Sequence, residues 1–437
     1  MTELKFDTDG WLDGDIGDAD ERATFTRLKI TAGNAVITRA FSKRGGGETE
    51  ALNVPLFPLA DYLAKMWWPL LYEPFRSHAN AGFLGRHRLD LPMHGYVFPA
   101  LGMCSAGDNA VLVQWAQLEN EHSPLRFLTL PPKEPLQVSR ENVEPELMNL
   151  VESALARLSS RSAAHKELEA SWSRVRETLE NHDQGSYCMA AGRLGIDPYD
   201  PNAPDLGQFL GSLSENLFND ISEATDLSRL GRTAESTAQA SQKIDSLPTI
   251  EVAAFGEPPR DDLRITAGEF GYKAAVMLRN RLDFDDRPTR LTTEVLGAST
   301  AKGAVLKEDG RSPLAGLAHR TNGVAHIGTF AQTARQRHFR AAATAYIAWC
   351  SQPGEIRAGT LALTRRQTAS RAFAAEIVAP QSYLFERGEK TGFTDDDIEE
   401  EARILKVPHD TVRWQAWRAG VQLFGVDAPQ QERNTFF

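Results

Sequence analysis

Two short runs constrain this chain more than any others. RQRHFRAAATAYIAWC (Arg335–Cys350) is followed, after a gap of comparable length, by ASRAFAAEIVAP (Ala369–Pro380). In the first run Phe339, Ala342, Ala343, Tyr346, Ile347 and Cys350 recur at helical spacing, which predicts a helix with a buried face. His338 is the only histidine in that helix, and it sits beside arginines, as a solvated or hydrogen-bonded histidine would.

The positions along these runs can be compared with the needs of a metal. A catalytic zinc takes about three protein donors of N or O type and keeps one position open for water. Histidines at i and i+4 of a helix point the same way and can reach one ion. The two runs resemble the active-site core of the ImmA/IrrE family of zinc metallopeptidases. In that family a phrase like RF-x-x-A-HE-x-x-H supplies two histidine ligands and a glutamate base. A second phrase, like E-A-N-x-F-A-A-x-L-L-x-P, supplies a carboxylate ligand. With Arg337 and Phe339 bracketing the start of the first phrase, the two histidine positions fall on Ala343 and Ile347 and the base on Thr344. The third ligand falls on Ala369, four residues before Phe373. Alanine and isoleucine have no donor atom, and a threonine hydroxyl is not a general base at ordinary pH.

The resemblance therefore implies a degenerate zincin-like scaffold with no catalytic residues, no zinc and no other cofactor. It runs over 263–425 and rests on Phe339, Phe373, Ala374, Ala375, Pro380 and the segment Glu401–Val407 with its KVP turn. The cleft left behind would be lined by His319, His326, His338, Arg340 and Arg371. His319 and His326 are the best remaining donors, although two neutral, hydrogen-bonded histidines would look the same.

At 437 residues the chain is too long for one ordinary domain, and the fold class expected is a multidomain α+β protein. Residues 1–138 read as a β-rich domain. FTRLKIT and NAVITRAFS flank an AGN turn as a hairpin would, Leu56–Leu71 reads as a helix with the pair Trp67–Trp68, and Asn109–Leu118 reads as a strand. Residues 139–245 turn helical, with ELMNLVESALARLSSR and HKELEASWSRVRETLE amphipathic. A further helix is predicted from about Leu213 to Leu227. The Ser/Thr enrichment of Arg229–Gln242 predicts an exposed connection, continued by a linker over 246–262. The ImmA/IrrE-like part opens with a helix, a loop and a second helix ending at Gly297. LAGLAH and GVAHIGTF then predict strands around the turn RTNG, and 426–437 form a tail.

Composition bounds the partners. No apolar run approaches the roughly 18 residues of a membrane-spanning helix, and the acidic N-terminus lacks the features of a signal peptide. Cys104, Cys188 and Cys350 are scattered, as free thiols of a cytoplasmic protein would be. A net charge of −11 argues against broad attraction to nucleic acid or an anionic membrane. Arg335, Arg337, Arg340, Arg365, Arg366 and Arg371 leave a local basic patch open.

Three readings follow. The first is a non-catalytic regulatory component that binds a protein partner, in a stress-response, toxin–antitoxin or anti-phage setting, with no membrane or nucleic-acid role and an oligomeric state that the sequence leaves undetermined. The family cleaves repressor-like proteins, so a scaffold that lost its metal would retain recognition. The second is a metallopeptidase with relocated ligands, drawn from His319, His326 and His338 with Glu355 or Glu376. The third is a DNA-binding regulator acting through IEEEARILKV-PHDT-VRWQAWRAG, which resembles a helix-turn-helix with Val412 and Trp417 inward, Asp410 or Thr411 capping the second helix, and Arg413, Gln415 and Arg418 outward.

Overall fold

In the computed structural model the described residues are 3–76, 80–118, 122–161, 165–284, 294–300, 304–306 and 313–425. The chain divides into two compact units, with the boundary between Leu206 and Gly207. It is a mixed α+β protein with several small antiparallel sheets. Among the described residues no helix is long and apolar enough to cross a membrane.

The first unit contains strands β1 (Leu4–Trp11), β2 (Phe25–Ala32), β3 (Ala35–Val36), β4 (Ala40–Ser42), β5 (Glu48–Thr49), β6 (Leu52–Pro55), β7 (Ala100–Ser105), β8 (Ala110–Ala116), β9 (Leu125–Phe127) and β10 (Leu136–Ser139). Its helices are α1 (Ala19–Ala23), α2 (Phe57–Tyr72), α3 (Ala81–His87), α4 (Arg140–Ser160), α5 (Lys166–Glu180) and α6 (His182–Arg193). The hairpin expected around AGN forms, with Thr31 opposite Val36 and Ala32 opposite Ala35. Its second arm is shorter than expected, because Ala40–Ser42 leave to pair with β5 and β9 in another sheet. Helix α2 buries Leu63, Trp67, Trp68 and Leu70, and α4 and α5 share its core through Leu147, Leu150, Leu168 and Trp172. The helices of 139–206 therefore belong with the β-rich part rather than to a separate middle region. Their amphipathic faces need an apolar cover, and α2 supplies it.

The second unit begins with α7 (Gly207–Ser212), α8 (Glu215–Ala224) and α9 (Leu227–Ser241). Helix α9 corrects the expectation of an exposed connection. Asp226 caps it, and Leu230, Thr233, Ala234, Thr237 and Ala240 line a buried face. Threonine can sit in such a face because its hydroxyl bonds back to the chain, as Thr237 does to the Thr233 carbonyl (2.7 Å). Residues 246–262 are not a linker either. Thr249–Ile250 form strand β11, Phe255 packs edge-on against Trp349, and Asp261 pairs with Arg365 at 2.7 Å.

Next come α10 (Ala267–Arg281), β12 (Leu314–Arg320), β13 (Ala325–Thr329), α11 (Ala334–Cys350), β14 (Ile356–Thr360) and α12 (Arg365–Val378). The strands form one antiparallel sheet in the order β11–β13–β12–β14, with the hairpin turn at RTNG as expected. The expected second helix ending at Gly297 and the tail 426–437 fall largely or wholly outside the described residues. Helices α13 (Gln381–Gly388), α14 (Asp395–Leu405) and α15 (His409–Arg418) end the unit. Thr394 caps α14 in a reciprocal box with Asp397. Helix α15 starts after Pro408 with no side-chain cap, so neither Asp410 nor Thr411 has the expected role. Val412 is inward as expected, but Ala416 takes the place given to Trp417, which is exposed.

Candidate functional site

Helix α11 begins in a capping box, with Thr333 and Gln336 each satisfying the other's backbone N–H. From Ala341 through Trp349 every residue is buried, so the helix is enclosed on all sides rather than along one stripe. The sheet covers one side and α12 another. Phe373 of α12 packs on Tyr346 and Trp349 at ring separations of 5.1 and 6.1 Å.

Ala343, Thr344, Ile347 and Ala369, the four positions compared above with zinc ligands and base, lie in this packed interior. Thr344 is turned toward the sheet, and its hydroxyl donates to the Arg340 carbonyl (2.7 Å). A Cβ placed on Gly316 of β12 would stand 2.2 Å from that hydroxyl oxygen, so the helix lies directly on the strand. Ala343 and Ile347 belong to the core cluster of the unit. Ala369 presents its backbone to α10, where a Cβ on Gly271 would be 2.1 Å from the Ala369 carbonyl oxygen. None of the four opens to solvent.

The residues expected to line a residual cleft do not come together. His338 donates from Nδ1 to the Ala334 carbonyl (2.9 Å), back along its own helix. Arg340 is half-buried near the same end. Arg371 binds the carbonyls of Thr360 and Ala362 at 3.2 and 2.9 Å, tying α12 to the end of β14. His319 and His326 do meet. They face each other across β12 and β13, with rings 6.3 Å apart and 27° from parallel. The Nδ1 atoms bond to the Asp245 carboxylate and the Leu247 carbonyl, both acceptors, an arrangement that in a neutral ring makes Nε2 the lone-pair nitrogen. Metal-bound histidines are oriented in this way, but two donors fall short of a zinc site. Among the described residues no group of three or more His, Cys, Asp or Glu is placed to hold a metal ion.

The remaining candidates have structural engagements. Glu376 is buried against Arg279 (2.9 Å) and accepts from the Gln381 backbone and the Gln415 amide. Glu355 accepts from Asn216 and the Gln352 backbone. The arginines of the supposed basic patch are engaged within the unit, one buried and the others half-buried. Arg365 is buried on Asp261, Arg337 donates to the Thr300 carbonyl, and Arg335 pairs with Glu399. Burial pushes the thiols of Cys188 and Cys350 up to about 11, so neither is a ready nucleophile or thiolate ligand.

No family model matches this chain, and no curated protein or solved structure matches it. The assignment of a function therefore rests on the residues.

The sequence reading missed a second polar cluster, in the first unit. Glu73, just after α2, is buried and accepts two hydrogen bonds from Arg86 (2.7 Å each) and one from His87 (3.0 Å). The other His87 nitrogen faces the Met103 carbonyl at 2.7 Å. Both ring nitrogens thus face oxygen atoms. Burial is the largest influence on Glu73 and would raise it, but the hydrogen bonds and charges of His87 and Arg86 prevail and hold it down to about 2. His87 lies in the run RHRLDLPMHGY, and nothing in its linear spacing connects it to Glu73.

Proposed function

We propose that this chain is a non-catalytic regulatory protein that acts by binding another protein, its second unit being a degenerate ImmA/IrrE-like scaffold. One observation carries the reading. The helix face on which the family phrase would place ligands and base is packed core, with Thr344 against the sheet and Ala369 against α10. A hairpin beside the helix Ala334–Cys350 also accords with the strands that the resemblance implies next to that helix. Apolar side chains open to a partner occur in this terminal region, where Phe385, Ile404 and Trp417 on the helices and Phe424 beyond them are each about two-fifths exposed.

We do not extend the proposal to DNA. Gln415 is buried and donates to Glu376 and the Ala379 carbonyl, so it is not free to read a base. Asp395, Asp396 and Asp397 in the first turn of α14 would repel phosphate.

The test is elemental analysis of the full chain together with a proteolysis assay on a repressor-type protein, with and without chelator. Zinc well below one ion per chain and no chelator-sensitive cleavage are expected. Stoichiometric zinc with chelator-sensitive cleavage overturns the proposal. Affinity capture from the native host, compared between the native chain and Trp417→Ala, then tests the surface, and unchanged capture would remove the terminal helices from it.

A further inference from the structure

We propose that Asn322 is a site of spontaneous modification. Its side chain closes on the backbone nitrogen of Gly323 and opens to aspartate or isoaspartate, so the turn between β12 and β13 changes charge and length as the chain ages. Asn322–Gly323 is the one Asn–Gly pair in the sequence. It forms the tip of the hairpin, between the end of β12 at Arg320 and the start of β13 at Ala325. The turn itself calls for the glycine, whose φ of +87° would strain a residue with a Cβ. The same missing side chain leaves the Gly323 nitrogen uncrowded.

The pair is free to react. Asn322 is exposed. Among the described residues its side-chain amide makes no hydrogen bond, and the Gly323 N–H donates to no acceptor. The turn is closed instead from Thr321, whose backbone N–H and hydroxyl both donate to the Val324 carbonyl (2.9 and 3.2 Å). Other asparagines are held or hindered. Asn80 and Asn181 cap helices through their side-chain oxygens, and Asn202 and Asn216 donate to Asp200 and Glu355. Every asparagine except Asn322 also precedes a residue whose side chain crowds the attacking nitrogen.

The chemistry needs only water. The Gly323 nitrogen gives up its proton and bonds to Asn322 Cγ, the Cγ–Nδ2 bond breaks, and Nδ2 leaves with that proton as ammonia. The product is a five-membered succinimide. Water opens it at the side-chain carbonyl to give aspartate, or at the backbone carbonyl to give isoaspartate. Either way a neutral amide becomes a carboxylate, and isoaspartate adds one methylene to the backbone of the turn. Gly323 is also an anchor, since its carbonyl accepts from the Ala253 N–H at 2.8 Å. Ala253 belongs to the short turn Val252–Phe255, whose Phe255 packs on Trp349. A longer backbone at Asn322 displaces that carbonyl and loosens the turn from the hairpin.

The experiment is ageing of the full folded chain at neutral and mildly alkaline pH, followed by tryptic mapping. Cleavage after Arg320 and Arg335 releases Thr321–Arg335, in which Asn322 is the only asparagine. A synthetic peptide of that sequence is aged beside it. The fragment should gain one mass unit, split on chromatography into aspartyl and isoaspartyl forms, at a rate within tenfold of the free peptide and rising with pH. Gly323→Ala should slow the gain at least tenfold. Asn322→Gln, which would need a six-membered ring, should do the same and keeps the test decisive if Gly323→Ala misfolds. Chains enriched in isoaspartate by charge separation should melt below fresh ones, and an unchanged melt would refute the loosening of Val252–Phe255. The proposal is overturned if the peptide converts while the folded chain keeps its mass, if aspartate forms alone, or if another asparagine converts first.

Discussion

Glu376→Ala should destabilise the second unit severely, for a reason unrelated to catalysis. Glu376 and Arg279 are almost fully buried and meet at 2.9 Å, linking α12 to α10. The same carboxylate accepts from the Gln381 backbone (3.1 Å) and from Gln415 (3.0 Å), which brings in α13 and α15. Removing one partner of a buried ion pair costs roughly 3–5 kcal/mol, because the other charge is left in a medium that cannot solvate it. In a unit of this size each kcal/mol lowers Tm by about 2–4 °C, so a drop of roughly 6–20 °C is expected. Removing both charges should behave differently. Arg279→Met with Glu376→Leu replaces the pair by apolar side chains of similar volume, which is often neutral or stabilising by about 1–4 kcal/mol. Urea unfolding of the single and double variants, read as a double-mutant cycle, measures the coupling directly. If Glu376→Ala lies within about 1 kcal/mol of the native chain, or if the double variant is no more stable than the single one, the carboxylate does not have this structural role. Glu376 would then return as a candidate ligand.

Three further outcomes are expected. Gly316→Val would place a side chain 2.2 Å from Thr344 Oγ1 and 2.8 Å from the Gly328 carbonyl oxygen. Overpacking of this kind costs roughly 1–3 kcal/mol, and Thr344→Ala should restore part of it in thermal melts; a native-like melting temperature for Gly316→Val would contradict the close packing of α11 on β12. Glu73 is held near 2 against a usual 4.5, so its folded form binds protons less readily than the unfolded chain. Its stabilising contribution, on the order of 3 kcal/mol, is therefore present above about 4.5 and fades as pH falls toward 2, and Glu73→Gln should flatten that part of a pH–stability profile. Introducing a zinc-binding phrase with Ala343→His, Thr344→Glu and Ile347→His should yield an unstable chain without bound zinc, because these positions are enclosed. A folded variant with one zinc per chain would show that the face opens more readily than its packing indicates.

Local signals in the sequence account for most of the elements. The hairpin at RTNG, the helix carrying Trp67 and Trp68, and the run Arg335–Cys350 all follow from turn chemistry and apolar period. The failures share a cause. Helix α9 was hidden because threonine and alanine are weak hydrophobic markers, and they form a core face only when a neighbouring surface is close enough to pack small side chains. Thr249–Ile250 looked like a linker because two residues carry no period, and they become a strand only through pairing with Ala325 and His326. Trp417 was placed inward on hydrophobicity alone, whereas the crossing of α14 and α15 gives that place to the smaller Ala416.

The same division holds for the candidate sites. Sequence alone determined that Ala343, Thr344, Ile347 and Ala369 cannot supply zinc ligands or a base, since side-chain chemistry does not depend on the fold. Tertiary structure alone decided that these positions are solid core, that His319 and His326 face each other with their Nδ1 atoms engaged, and that Asn322 has no hydrogen-bond partner for its side chain among the described residues. Burial and hydrogen bonding depend on groups brought together from tens to more than a hundred residues away, and linear spacing does not record those meetings.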